Sequence, residues 1–599
     1  MSVIGAIARA TLLPLHRFKL RRFIRSLDTA RDVQRETMLL RIRRSADTRF
    51  GRDHDFAAIR NLEDFRRAVP ISSYESASPY IAQVIGGEMD ALLPRSEKLL
   101  ALACTTGSAG TPKVLPVTRT WLREYRKAWE LWGVKALIDH MDIVGTRWLQ
   151  LSGPAHVSVA ENGMPVGMVS AVTARFQNPI FKLFYATPVD TGDIANAFDR
   201  NYTILRLSIG SRVGFIMTIT PGNLIHLAEI GNEHRQSLIR DLHDGTLRRD
   251  IALDPEFRAR IDRRIRARQP ERARELEKII EDTGTLYPKD YWPLKLVSCW
   301  LGGTVGYQSK RLAEYYGSVA VRDLGYISTE GRHTIPLGDL SSDGVLYPHG
   351  AYYEFAAAGD DSGPLRPTLE AHELELGCDY SPIISTSNGL YRYDLGDVVR
   401  CKGFLGEAPI LEFLHKSAQY SDMEGEKVSG HQIAQAVESA YRHLDLPHEL
   451  VSALPTREAQ GANYYGILTD SEALRDDSLA VRFLAALDQA LGAMNVMYRA
   501  KRGDSSIGAP RLLRLSRGSW SRHIEIAGRQ RGTGDTQHKH PVLLPQGTWL
   551  EGIDLVDVVG LDGPYSDTPP SPHDPAVSQT RAAAPSSVAG REPDARGKG

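Results

Sequence analysis

The chain has 599 residues, 42% hydrophobic and 24% charged, which is too long for one ordinary core and too apolar to be disordered throughout. Lys+Arg and Asp+Glu each total 73, so the formal charge is zero, without the basic excess of a dedicated nucleic-acid binder. Cys104, Cys299, Cys378 and Cys401 stand far apart with no CxxC pair. Neither a disulfide framework nor a structural zinc site is expected, and a reducing cytoplasm fits.

Met1 to Leu15 is mildly apolar, interrupted by Arg9 and followed by His16, Arg17, Lys19, Arg21, Arg22 and Arg25. A secretory signal has the reverse order, basic residues first and a cleavage site after. An amphipathic helix packed on the body is expected, with membrane-surface contact as the alternative. No run of about 18 apolar residues occurs, so no membrane-spanning helix is expected. Residues 27–67 read as helical, and Pro70, Pro79 and Pro94 then punctuate short segments. Lys98 to Cys104 has the length of a strand, and a helical pattern resumes at Thr120. Asp254 to Asp282 reads as a solvated, charge-paired helical stretch. From Leu294 the texture is strand–turn–strand, through LKLVSCWLGG, SVAVRDLGYIS and YYEFAA, with turn chemistry at Gly359 to Gly363. Helices are predicted at Gly430–His443 and Asp477–Met494. The alternation suggests an α/β body with a smaller α+β unit on the C-terminal side. Pro564 to Gly599, rich in Pro, Ser and Ala, is expected to be a disordered tail.

Four segments carry chemistry. Thr105-Thr106-Gly107-Ser108-Ala109-Gly110-Thr111-Pro112-Lys113 follows an apolar strand. It offers hydroxyls, a lysine and backbone N–H groups to an anion, and glycine lets the chain approach it closely. It lacks the frame of a Walker A loop, and taken alone it reads equally well as a surface turn. Tyr326-Ile327-Ser328-Thr329-Glu330-Gly331 brings a ring for a base, hydroxyls for a phosphate and a carboxylate suited to Mg²⁺. By itself it reads more readily as an ordinary strand–turn with an exposed Glu. In Gly389 to Arg400 (GLYRYDLGDVVR), Asp397 can accept two hydrogen bonds from a ribose diol, or serve as a turn aspartate. Gln537-His538-Lys539-His540-Pro541 sets a lysine between two histidines, read as a solvated basic turn rather than a metal site. Trp121, Tyr125, Trp129 and Trp132 recur at helical spacing, for which a core-facing stripe is the ordinary reading.

In this order the four segments resemble the adenylate-forming superfamily, and more closely a bacterial-type member of the auxin-responsive acyl-acid amido synthetases, the Gretchen Hagen family. The resemblance spans about residues 20–560 and includes TRFGRDHDF (Thr48 to Phe56), DFRRAVPISSYE (Asp64 to Glu75), YWPLKLVSCWLGG (Tyr291 to Gly303) and GEKVS (Gly425 to Ser429). Two positions depart from the family pattern. Ala109 replaces a common Ser or Thr, and His415-Lys416 stands where related ligases have Gly-Arg. The resemblance implies a large domain over 1–415 binding ATP and the acid, and a small mobile domain over 416–562 hinged between Phe413 and Lys427. Residues 563–599 would be the tail. It implies two half-reactions: a carboxylate attacks the α-phosphate of Mg·ATP, then an amine, in the family usually an amino acid, takes the acyl group and releases AMP. An acyl-CoA or carrier-protein ligase, with a thiol acceptor, is the alternative. The cofactor residues it implies are Thr105, Thr106, Gly107, Ser108, Gly110 and Lys113 on the phosphates and Tyr326 on adenine. Ser328, Thr329 and Lys427 join them, with Glu330 on Mg²⁺ and Asp397 on ribose. Lys539, with Glu330 and Thr329, would be catalytic, and Tyr125, Trp129, Trp132 and Gln537 would meet substrate. The expected partners are a small carboxylic acid and an amine or amino acid, for a monomer with no nucleic acid and no integral membrane association.

Overall fold

A computed structural model describes residues 3–104, 113–153, 158–160, 162–169, 172–173, 183–360, 362–417, 420–458, 462–531 and 539–561. The chain divides into two compact units, one built on Met1–Ser417 and the other on Ala418–Gln530 together with the chain from Lys539. The expected tail lies outside the described residues.

In the first unit, the N-terminal helix runs Val3–Ser26, longer than the apolar stretch that suggested it. Shorter helices follow at Ala30–Arg44, Arg49–Asp53 and Leu62–Ala68. Thr48 and Asn61 cap two of them by accepting the N–H of Gly51 and Asp64. The charged stretch after Asp254 forms two helices, Pro255–Ile265 and Pro270–Thr283, each opening on a proline. Proline starts a helix readily but cannot continue one, which is why the stretch divides at Pro270.

Among the described residues three sheets build this unit. Strands Arg147–Gln150, Val213–Met217, Leu296–Ser298 and Ala320–Arg322 pair in that order, all parallel. Parallel neighbours need crossover connections. Helices such as Ala197–Ser208 and Pro221–Glu233 supply them and bury Leu205, Leu224 and Leu227 in the core beneath. A second sheet pairs Leu99–Cys104 antiparallel with Val114–Thr118 and parallel with Pro165–Met168. The third is antiparallel, with central strands Tyr352–Ala357, Asp379–Ser385, Asp397–Leu405 and Ala408–Lys416. One of its faces covers the Ile42–Phe50–Phe56–Tyr391 core.

The second unit holds the four-stranded sheet Ser452–Thr456, Tyr464–Thr469, Arg511–Leu515 and Leu555–Gly560. Helices Gly430–His443 and Asp477–Met494 pack against each other. Both occupy the predicted spans, started by a Ser429–Gln432 capping box and by Asp476 accepting the N–H of Leu479.

Candidate functional site

Two neighbouring strands of the parallel sheet, Leu296–Ser298 and Ala320–Arg322, end at the same edge. In open α/β sheets, ligands bind outside the carboxyl ends of the strands. The chain leaving the second strand is Asp323-Leu324-Gly325, and each of its carbonyls is capped. Trp132 Nε1 donates to Asp323 O at 2.9 Å, Arg332 Nη2 to Leu324 O, and Trp300 Nε1 to Gly325 O at 3.0 Å. Gly325 has φ 89°, and a Cβ there would stand 2.6 Å from Thr334 O, so the turn needs glycine.

Tyr326 is the next residue and is buried. Its ring stacks on Phe413, with centroids 5.5 Å apart and planes at 20°. Its hydroxyl donates to Asp397 Oδ2 at 2.5 Å, and burial plus the Asp397 charge hold it protonated, far above the usual phenol range. Residues 326–333 form a tight hairpin. His333 N–H donates to Tyr326 O and Ser328 N–H to Gly331 O, both at 2.9 Å. The His333 ring links Ser328 Oγ (2.9 Å) and Tyr353 Oη (3.2 Å). Burial pushes its pKa down to about 3, so the ring is neutral. Glu330 is fixed through its backbone: its N–H donates to Ser328 Oγ and its carbonyl accepts Trp121 Nε1 at 2.7 Å. A carboxylate held on a rigid hairpin is a fitting hard-oxygen ligand for Mg²⁺. Thr329, beside it, is half-buried.

Asp397 opens the strand Asp397–Leu405, and antiparallel register sets it opposite Lys416. Lys416 Nζ lies 2.5 Å from Asp397 Oδ1. Burial opposes the ammonium charge, but Asp397, Glu330 and Asp394 outweigh it and hold the pKa above the ordinary lysine value. One carboxylate thus joins the Tyr326 hydroxyl to a lysine that stands out in the sequence only as a departure from a pattern.

The aromatic helix is Arg119–Asp139, capped by Thr118 accepting Trp121 N–H. Trp121, Tyr125 and Trp132 are buried and Trp129 is partly exposed. Trp121 and Tyr125 stack at 4.8 Å, and the Arg332 guanidinium lies 4.0 Å from the Trp129 ring centre. Burial lowers the Arg332 pKa to about 9. Trp121 and Trp132 donate their indole N–H groups to the Glu330 hairpin and the Asp323 turn, so this stripe supports the site as well as the core.

Lys113 lies over the Tyr74 ring at 5.4 Å, and Tyr74 Oη accepts the N–H of Val114 at 3.0 Å. Thr105, Thr106, Gly107, Ser108, Gly110 and Gln537 lie outside the described residues.

Lys427 and Lys539 belong to the second unit. Lys427 is exposed at φ 46°, on a turn pinned by its neighbours. Glu426 accepts the Met423 and Glu424 N–H groups and the Tyr465 hydroxyl, and Asn495 Nδ2 donates to Glu426 O at 2.9 Å. Lys539 is exposed, whereas the adjacent His540 is buried, which corrects the reading of this segment as a solvated basic turn. His540 Nε2 lies 3.0 Å from both Ser452 Oγ and Val451 O, its ring stands edge-on to Trp520, and burial lowers its pKa to about 4. Beyond it, Val542 and Leu544 exchange backbone hydrogen bonds with Ala453. Lys539 therefore projects from a segment anchored on the sheet.

Comparison with known proteins gives these residues a setting. The chain matches the GH3 family N-terminal domain over residues 19–321, the central domain over 344–416 and the C-terminal domain over 431–547. The chain belongs to the GH3 family. Family relatives include the indole-3-acetic acid-amido synthetase GH3.4 of Arabidopsis thaliana, 23% identical over 550 residues, 87% of this chain and 90% of that one. The 4-substituted benzoates-glutamate ligase GH3.12 of the same plant is 22% identical over 527 residues, 82% of this chain and 89% of its own length. The solved GH3.15 acyl acid amido synthetase shares the fold, with a TM-score of 0.78 at 18% identity, across 90% of this chain and 96% of that one. The fold is thus α/β of the GH3 type with a sheet-containing C-terminal region. Among the described residues no helix is long and apolar enough to cross a membrane.

Proposed function

We propose that this chain is an ATP-dependent acyl-acid amido synthetase. It adenylates a carboxylic acid, releasing pyrophosphate, and then transfers the acyl group to an amine, an amino acid, releasing AMP. A carboxylate is a poor acyl donor, and AMP supplies the leaving group it lacks.

The observation that carries this reading is the meeting of Tyr326, Asp397 and Lys416 beside the Ser328–Glu330 hairpin, at the carboxyl edge of the parallel sheet. Tyr326 is proposed to face adenine, and Asp397 to take the ribose hydroxyls. Thr329 and Ser328 lie beside the α-phosphate, and the loop Thr105–Lys113 takes the outer phosphates. Glu330 would hold Mg²⁺, which neutralises phosphate charge when bound. Lys416 balances the carboxylates around it. Lys539 brings a compact positive charge to the oxygens where charge develops, which can be a dominant catalytic term. Lys427 contacts the nucleotide from the same unit. The small domain, expected over 416–562 and starting at Ala418 in the compact units, is proposed to turn about the segment between Phe413 and Lys427. Tyr125, Trp129 and Trp132 border the acid, and Gln537 meets substrate. The four cysteines are free thiols, which supports a cytoplasmic enzyme.

An amine acceptor is favoured over a thiol because relatives spanning most of the chain are named as amido synthetases or as a glutamate ligase. Incubating the enzyme with ATP, an acid panel and either twenty amino acids or coenzyme A, and weighing the products, tests the choice. Amide conjugates are expected. Thioesters without amides would overturn the acceptor assignment.

A further inference from the structure

Asp323 lies at the carboxyl end of the strand Ala320–Arg322 and is 2% exposed. Its carboxylate accepts backbone N–H groups from two separate strand ends. Oδ2 takes Leu301 N–H and Oδ1 takes Gly325 N–H, each at 2.5 Å. Leu301 continues the neighbouring parallel strand Leu296–Ser298. The bond thus joins the two strand ends where a ligand would sit.

The two glycines after Leu301 are confined by their neighbours. Gly303 has φ 64°, and a Cβ there would stand 2.7 Å from the Phe413 ring. Gly302 is nearly as tight against Ser342, at 3.0 Å. The Leu301–Gly303 backbone therefore runs close against Phe413, whose ring stacks on Tyr326, whose hydroxyl donates to Asp397. Burial pushes the Asp323 pKa up to about 7, opposed by these backbone N–H groups and by the Arg332 guanidinium, so keeping an acid here is costly, and an inert link between two turns does not require one.

We propose that Asp323 is a positioning residue for the nucleotide site: it fixes the Leu301–Gly303 turn against Phe413 and so sets the plane of the Tyr326 ring and the place of Asp397. An amide at this position would still accept one N–H but would point its own donors at the other. The turn would loosen and the stacking surface with it. The side chain touches no reacting atom, so its loss acts on nucleotide affinity rather than on the chemical step.

This inference rests on the proposed adenylation activity, and the experiment separates the two. Acid-dependent ATP–pyrophosphate exchange is measured for the wild type, Asp323→Asn and Trp300→Phe, the last deleting the indole donor to Gly325 O while keeping a ring. The expected result is a KM for ATP raised about tenfold or more in Asp323→Asn and a smaller rise in Trp300→Phe. In both, kcat stays within about threefold of wild type and the melting temperature confirms folding. An unchanged KM for ATP in folded Asp323→Asn overturns the proposal. If that variant does not fold, an unchanged KM in Trp300→Phe overturns it. A wild type without acid-dependent exchange overturns the proposed activity instead.

Discussion

Asp397 carries two contacts at once, the Tyr326 hydroxyl on one oxygen and Lys416 on the other. Replacing it with asparagine keeps the shape and removes the charge. Hydrogen bonds to charged groups contribute about 1.5–3 kcal/mol, so Asp397→Asn is expected to raise the KM for ATP about 10- to 150-fold in pyrophosphate exchange. Unaltered ATP dependence would remove Asp397 from the nucleotide site. His333 yields a pH prediction. Its folded pKa of about 3 lies below the ordinary 6.5, so the unfolded chain binds the proton first as pH falls. The neutral ring's contribution is therefore present above about pH 6.5 and is lost as pH falls toward 3. Stability should drop by up to about 1.4 kcal/mol per pH unit from this group. His226 and His540 act in the same direction, so the test is a difference: His333→Asn should flatten the acid limb of the stability curve relative to wild type, and an identical limb would contradict the burial argument.

At the scale of elements, local chemistry carried far. Helix Gly430–His443 was legible because a capping box precedes apolar positions at helical spacing, and the strand before Thr105 because an apolar run ends in turn residues. The site motifs were legible as residue types, but their partners were not. Lys416 meets Asp397 through antiparallel register, and Asp323 meets Leu301 through parallel pairing, contacts that no local pattern reports. His540 reads as solvated in sequence because its burial depends on Ser452 and Trp520, remote along the chain. The turn after Leu296–Ser298 yields a direct test. At φ 64° an L-residue costs about 1–2 kcal/mol, and the Phe413 ring blocks a methyl group as well. Gly303→Ala should therefore lower the urea midpoint by at least that equivalent and weaken ATP binding. A variant with wild-type midpoint and affinity would show that the turn yields freely.

At the scale of the molecule, the residues proposed for the chemistry are shared between two units. The hairpin, Asp397 and Lys416 lie in the first, and Lys539 is displayed by the second. An electrostatic donor is worth about 2.7–4 kcal/mol in a transition state. Lys539→Ala should therefore lower pyrophosphate exchange at least about 100-fold, leave ATP binding nearly intact and still consume a supplied acyl-adenylate with the right amine. Loss of ATP binding in that variant would assign the lysine a structural role. The central claim, that this chain activates a carboxylate as its adenylate, is tested most directly by ATP–pyrophosphate exchange of the wild-type protein across a panel of carboxylic acids. Exchange is expected only with particular acids and without any amine. Absence of acid-dependent exchange across the panel, with ATP bound or not, would contradict it.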